Sequence, residues 1–273
     1  MGRYAAWLLT IDDTYYNDGS SVINKDFVEE QLEKGADPET IQQEYYCSFK
    51  ASASGAWYRH AMKKIDDEQR ITYVSHDSML PTFTFYDLGG NDEYACVVAQ
   101  FPNPERINIV DNFIARDIGS GEFLDTIISK YRNIHTHFFP WDGGHRFDFV
   151  NHRESRIEKL KREKGISNIK KVERNKSVAD GVEIGRRVLN KCWIDERNCR
   201  QFVNDIRNYK KKKNISTGAF TEQEVHDQHS HNAAAYRTLA TAYDRDMIPK
   251  LGSLGVKDRI KKLAKQSICN LKL

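Results

Sequence analysis

The chain has 273 residues, 39% of them hydrophobic and 30% charged, with a formal net charge of +3, so it can bury one substantial core with a small appendage. No apolar run approaches the roughly 20 residues of a helical membrane span, and the patch Tyr4 to Leu9 is too short for a secretory signal; a soluble, non-secreted protein is expected. Cys47, Cys96, Cys192, Cys199 and Cys269 are scattered and never in C-x-x-C spacing, which argues against a zinc module and for a reducing compartment.

In chain order, Asn24 caps a short helix carrying Phe27, Val28 and Leu32, and Gly35 stops it. Asp37-Pro38-Glu39 then opens a second helix, with Asp37 at its cap and Pro38 in its first turn, running into Ile41 to Phe49. After Gly55 the period changes. Thr82–Tyr86, Tyr94–Phe101 and Arg106–Phe113 are β-rich runs divided by Gly89-Gly90-Asn91-Asp92 and Pro102-Asn103-Pro104, the pattern of an antiparallel meander. A helix over Gly121–Tyr131 and a strand over Thr136–Trp141 follow. The second half reads as helices near Glu154–Lys164, Ala179–Asn190, Glu196–Tyr209 and Gln228–Tyr243, with one more strand at Asn168–Val172. The sum is a mixed α/β sheet flanked by helices. There is no G-x-x-x-x-G-K-[ST] phosphate loop, so ATP chemistry is not expected of this chain alone.

Two acids stand out. Asp87 in Phe85-Tyr86-Asp87-Leu88-Gly89 and Asp142 in Phe139-Pro140-Trp141-Asp142-Gly143 each end an apolar, β-prone run before glycines that turn the chain out of a sheet. Carboxylates meeting over one sheet edge suit a hard divalent cation; taken singly, both also read as ordinary turn acids. Asp92 either joins them or closes the hairpin turn. His226, His229 and His231 lack the partners that complete a zinc set. Charge is uneven: residues from Met247 onward hold seven basic side chains against one acid, so this tail carries +6 and the remainder −3. Val256, Ile260, Leu263, Ala264, Ser267 and Leu271 give the tail helical spacing. Lys210, Lys211, Lys212 and Lys213 form a second basic focus, read as a flexible loop or hairpin tip that is either a solvated face or a phosphate-backbone contact.

Several stretches in order resemble the C-terminal nuclease part of the large terminase subunit of tailed bacteriophages: Gln42 to Phe49, Gly55-Ala56-Trp57-Tyr58, Asp87-Leu88-Gly89, Pro140-Trp141-Asp142, Asp180-Gly181-Val182-Glu183, Arg186-Arg187, Cys192 to Glu196, Asn208-Tyr209, His226-Asp227 and Ser230-His231. The resemblance implies a ribonuclease H-like fold and an endonuclease that cuts double-stranded DNA during genome packaging with two divalent metal ions, Mg2+ or Mn2+. It assigns Asp87 and Asp142 as the first two metal ligands. The third is an aspartate in a Ser-His-x-Ala-Asp-Ala-x-Arg pattern; here Ser230-His231-Asn232-Ala233-Ala234-Ala235-Tyr236-Arg237 has Ala234 in its place. The intact surroundings favour an engineered substitution over a natural loss, and either weakens the second metal site. Asp227 lies about 10 Å along the helix axis from position 234, too far to substitute, and is expected to cap the helix, while His231 is expected to orient the motif.

The same resemblance divides the chain into a helical leader over residues 1–75, facing an ATPase motor on another stretch of chain or another protein, a nuclease domain over 76–246, and the basic tail. It implies an ATPase domain, a portal protein and a small terminase subunit as partners in the host cytoplasm. A junction resolvase or transposase-like enzyme of the same fold, and a non-catalytic module that docks on DNA or portal, remain the alternatives.

Overall fold

The computed structural model describes residues 9–33, 38–47, 54–89, 93–131, 134–141, 147–148 and 151–249. Helices α1 (Lys25–Glu33) and α2 (Pro38–Tyr46) surround a small cluster of Ile11, Val28 and Ile41. Asn24 does cap α1, its Oδ1 accepting from the Phe27 amide at 2.9 Å. Of the three apolar residues the helix carries, Val28 is buried while Phe27 and Leu32 are exposed. Asp37 lies outside the described residues.

From Gly55 onward the chain builds one body. Helix α3 (Arg59–Asp67) leads into β1 (Ile71–Thr72), the meander β2 (Thr82–Leu88), β3 (Glu93–Asn103) and β4 (Arg106–Arg116), helix α4 (Ser120–Lys130) and β5 (Ile134–Pro140). A small hairpin of β6 (Phe147–Asp148) and β7 (Asn151–Ser155), helix α5 (Arg156–Lys164), β8 (Ile169–Val172), helix α6 (Val178–Leu189), β9 (Cys192–Asp195) and helix α7 (Arg200–Asn208) follow. A second hairpin, β10 (Lys211–Lys213) and β11 (Phe220–Glu224), precedes the long helix α8 (Ser230–Asp244). The main sheet runs β1-β9-β4-β3-β2-β5-β8. The meander pairs antiparallel, whereas β5 joins β2, and β8 joins β5, in parallel. This is the ribonuclease H-like arrangement, with β9 and β1 added in parallel beyond β4.

The alternation of β2 sets the two layers. Phe83 and Phe85 enter a core with Met62 and Ile65 of α3, Val182 and Leu189 of α6, Phe202 and Ile206 of α7, and Leu239 of α8. Tyr86 and Leu88 enter the opposite core with Phe123 and Ile127 of α4 and Leu160 of α5. By the same period Asp87 points to the α8 side. Tyr58, Met62 and Ile65 are fully buried in the first core, and β1 pairs with β9. None of the described helices is long and apolar enough to cross a membrane.

Two differences from the sequence expectation concern the second half. Cys192–Asp195 is a strand, and α7 begins at Arg200 rather than Glu196 because Asp195 turns the chain: its carboxylate accepts from the amides of Val74, Arg197 and Asn198. The lysine run is a strand, with the hairpin tip at Asn214 to Ala219. The basic tail from Lys250, with its expected helix, lies outside the described residues.

Candidate active site

Where β2 ends, Gly89 lets the chain leave the sheet; a Cβ there would collide with the Glu93 carbonyl oxygen. Asp87 is the last residue of β2 on the α8 side and is about one-fifth exposed. Helix α8 crosses this strand end and is pinned twice. Thr238 Oγ1 donates to the Tyr86 carbonyl at 3.2 Å, and His231 Nδ1 lies 3.0 Å from Asp87 Oδ2. An ionised carboxylate only accepts, so the imidazole proton sits on Nδ1 and fixes the carboxylate's orientation.

Between Ser230 and Ala242 only Ala234 and Arg237 are not buried. Both line a cleft of 290 Å³ shared with Asp87, Pro140, Trp141, Glu224 and the start of α6. The methyl of Ala234 thus occupies the wall where an aspartate would share the cleft with Asp87. Arg237 is held by the hairpin: its guanidinium donates to the Tyr209 hydroxyl and lies 3.4 Å from Glu224, and Tyr209 donates to that same carboxylate. Burial pushes the Tyr209 hydroxyl up, so it stays a donor. Arg174 stacks 5.0 Å from the Trp141 ring centroid at the cleft edge.

Asp142 and Asp92 lie outside the described residues, so the structure brings together only Asp87, position 234 and His231 of the expected set. Asp227 sits in the turn ahead of α8, its Oδ1 accepting from the His229 amide at 2.9 Å and its carbonyl from the Ser230 amide. Lys211 pairs with Glu222 at 2.6 Å and lies over Trp57, and it does not line the Asp87 cleft. Among the described residues no three His, Cys, Asp or Glu side chains gather into a metal-holding group. The donor chemistry at Asp87 fits a hard divalent cation, and the set is incomplete where Ala234 stands.

A buried network under α8 had no signal in the sequence. Asp205 of α7 is fully buried and accepts from Gln201 Nε2 at 2.8 Å, His229 Nδ1 at 2.8 Å and Asn232 Nδ2 at 2.7 Å. Asn232 also exchanges hydrogen bonds with Asn112 of β4 at 2.6 and 3.2 Å. Burial raises the Asp205 carboxyl above its usual range, opposed by the bonds from His229 and Asn232. This network ties the first turn of α8, which presents His231 and Ala234, to the sheet and to α7.

No protein-family model matches the sequence, and no curated protein matches it. Among solved structures, the large terminase of a thermophilic bacteriophage aligns at 15% identity over 82% of this chain and 53% of that one, with a TM-score of 0.50. The complex of that terminase with ADP aligns at 16% identity over 85% and 53%, also at 0.50. The nuclease domain of the large terminase g2p of bacteriophage SPP1, with bound Mn, aligns at 19% identity over 63% and 93% with a TM-score of 0.48, a likeness too loose to build on. The chain spans about half the length of the thermophilic phage protein, and over that span it has the fold of a large terminase.

Proposed function

We propose that this chain is the nuclease part of a phage DNA-packaging terminase large subunit, a metal-dependent endonuclease on double-stranded DNA, inactive as written because Ala234 removes a metal ligand. The observation that carries the reading is the placement of Asp87 at the end of β2 across one cleft from position 234 of α8, on the fold of a large terminase. Asp87, with Asp142 and an acid at 234, would hold two ions, Mg2+ or Mn2+. What a pair of divalent cations supplies in such a cleft is a water made nucleophilic near neutral pH and stabilisation of the leaving oxygen.

The chain's own residues do the positioning. His231 orients the Asp87 carboxylate, and the Asp205 network holds the turn that carries His231. Arg237 and Arg174 place positive charge on the cleft wall where a phosphodiester would lie. The terminase reading also carries an ATPase domain, a portal protein and a small terminase subunit as partners in the host cytoplasm, and the leader, nuclease and tail division at residues 75 and 246.

The test is plasmid cleavage with Mg2+ or Mn2+ by the chain as written, by Ala234→Asp, and by Ala234→Asp with Asp87→Ala. Cutting by the second protein alone is expected. A protein that stays folded, binds DNA and never cuts overturns the nuclease reading in favour of a docking module; preference for four-way junctions over linear duplex points to a resolvase.

A further inference from the structure

Helix α6 borders two clefts. Its first turn lines the Asp87 cleft, and its second half forms, with α3, an open cleft of 630 Å³. That second cleft is walled by Arg59 and Lys64 from α3 and by Arg186 and Arg187 from α6, against a single acid, Glu183. Trp57 also lines it, and its buried indole N–H finds no acceptor among the described residues. Arg186 Nε donates to the Trp57 carbonyl at 2.8 Å, which aims its guanidinium along the wall. Three of the cations meet carboxylates in exposed pairs: Arg186 with Glu183 at 3.0 Å, Arg187 with Asp244 at 3.1 Å and Lys64 with Glu68 at 3.9 Å. Exposed pairs of this kind contribute about 0–1 kcal/mol and yield readily to a stronger anion.

We propose that the α3–α6 cleft is a phosphate-binding site that holds the backbone of duplex DNA away from the Asp87 cleft. Arginines on two facing walls suit phosphate oxygens. Two observations favour a polyanion over a single phosphorylated small molecule. The cations continue beyond the cleft, because Ala56 bridges to Lys210, the Lys211 amide donates to the Gly55 carbonyl at 3.0 Å, and Lys211 Nζ, paired with Glu222 at 2.6 Å, lies 4.4 Å from the Trp57 ring centroid. The chain also lacks the glycine-rich loop that cradles a nucleotide's phosphates. From Ser177 to Arg187 is about 15 Å along the helix at 1.5 Å per residue, roughly four phosphate steps of one strand at 3.4 Å each. Along α6 the two clefts are therefore less than half a turn of duplex apart. The choice of duplex DNA as ligand rests on the nuclease reading; the cleft and its cations do not.

The experiment is binding of a short labelled duplex across 50–200 mM NaCl by the full chain and by Lys64→Ala with Arg187→Ala. Each phosphate contact contributes about 0.9 to the slope of log affinity against log salt, so the variant's slope should shrink by about 1.8, and its affinity deficit should narrow about tenfold over that range. An unchanged slope in a variant with unaltered circular dichroism overturns the proposal. Lysine acetylation footprinting on the unaltered chain needs no variant: saturating duplex should protect Lys64 and Lys211 and leave Lys63, which pairs with Asp67, reactive. Equal reactivity of Lys64 with and without duplex, or its protection by ATP or inorganic phosphate but not by duplex, overturns it. Cutting by Ala234→Asp together with an unchanged salt slope refutes this cleft alone; a reduced slope with no cutting refutes the nuclease reading alone.

Discussion

Truncating Asp205 tests whether the polar network under α8 holds the site in place. In Asp205→Ala the donors on Gln201, His229 and Asn232 lose an acceptor at 2.7–2.8 Å; Asn232 is buried, His229 partly so, and Gln201 is exposed and can turn to water. A buried donor left stranded costs about 1–3 kcal/mol, and a partly buried one less because water reaches it. These penalties overlap within one network and do not add, so a total loss of about 3 kcal/mol is expected. Asp205→Asn keeps the shape and one acceptor oxygen and should lose about half as much. Urea unfolding followed by circular dichroism reads both, with the order wild type, Asn, Ala. Because Asn232 joins this network to Asn112 of β4, the Ala variant should also loosen the turn carrying His231. In an Ala234→Asp background it should lower cleavage at temperatures where the protein remains folded. An Asp205→Ala protein within about 1 kcal/mol of wild type, on the scale of an ordinary surface change, would mean that the Asp205 network does not hold α8 in place.

Two further outcomes follow from packing and protonation. His137 is buried with the Thr84 and Tyr86 hydroxyls both 2.9 Å from its Nδ1, and burial lowers its pKa from 6.5 to about 4. Between these values the unfolded chain binds the extra proton, so stability should fall as pH drops below 6.5, by roughly 3 kcal/mol once pH 4 is reached; His137→Phe should flatten that part of the profile in thermal melts from pH 7 to 4, and an unflattened profile would assign the loss elsewhere. At Gly185 a Cβ would lie 2.7 Å from the Tyr58 hydroxyl and 3.1 Å from the Tyr236 ring, so Gly185→Ala should destabilise by about 1–3 kcal/mol despite alanine's better helix propensity, as urea midpoints would show; a stabilised variant would mean the aromatic pair can move aside.

What could be read from the residues depended on how local the signal was. The meander was legible because β2, β3 and β4 are long, β-prone and separated by Gly-Gly-Asn-Asp and Pro-Asn-Pro turns. Asp87 was legible for the same reason, as the polar end of an apolar strand. Strand β9 was not: four residues paired in parallel on both sides carry no alternation. The hairpin β10–β11 hid behind a lysine run with little strand propensity, and its pairing is what carries Glu224 to Arg237. Asp205 gave no warning either, since an acid on a helix ordinarily faces water and only the tertiary arrangement brings His229 and Asn232 to it. Position 234 was singled out through the surrounding Ser-His-x-Ala pattern; in the structure it lines the cleft with Arg237.

On the proposed function, Asp87 and position 234 build one metal site across that cleft. Electron paramagnetic titration of Mn2+ into the chain as written, into Ala234→Asp, and into Ala234→Asp with Asp87→Ala measures it without any substrate. Tighter binding by at least about tenfold on restoring the aspartate, lost again with Asp87, is the predicted result; equal Mn2+ affinity in all three folded proteins would contradict it.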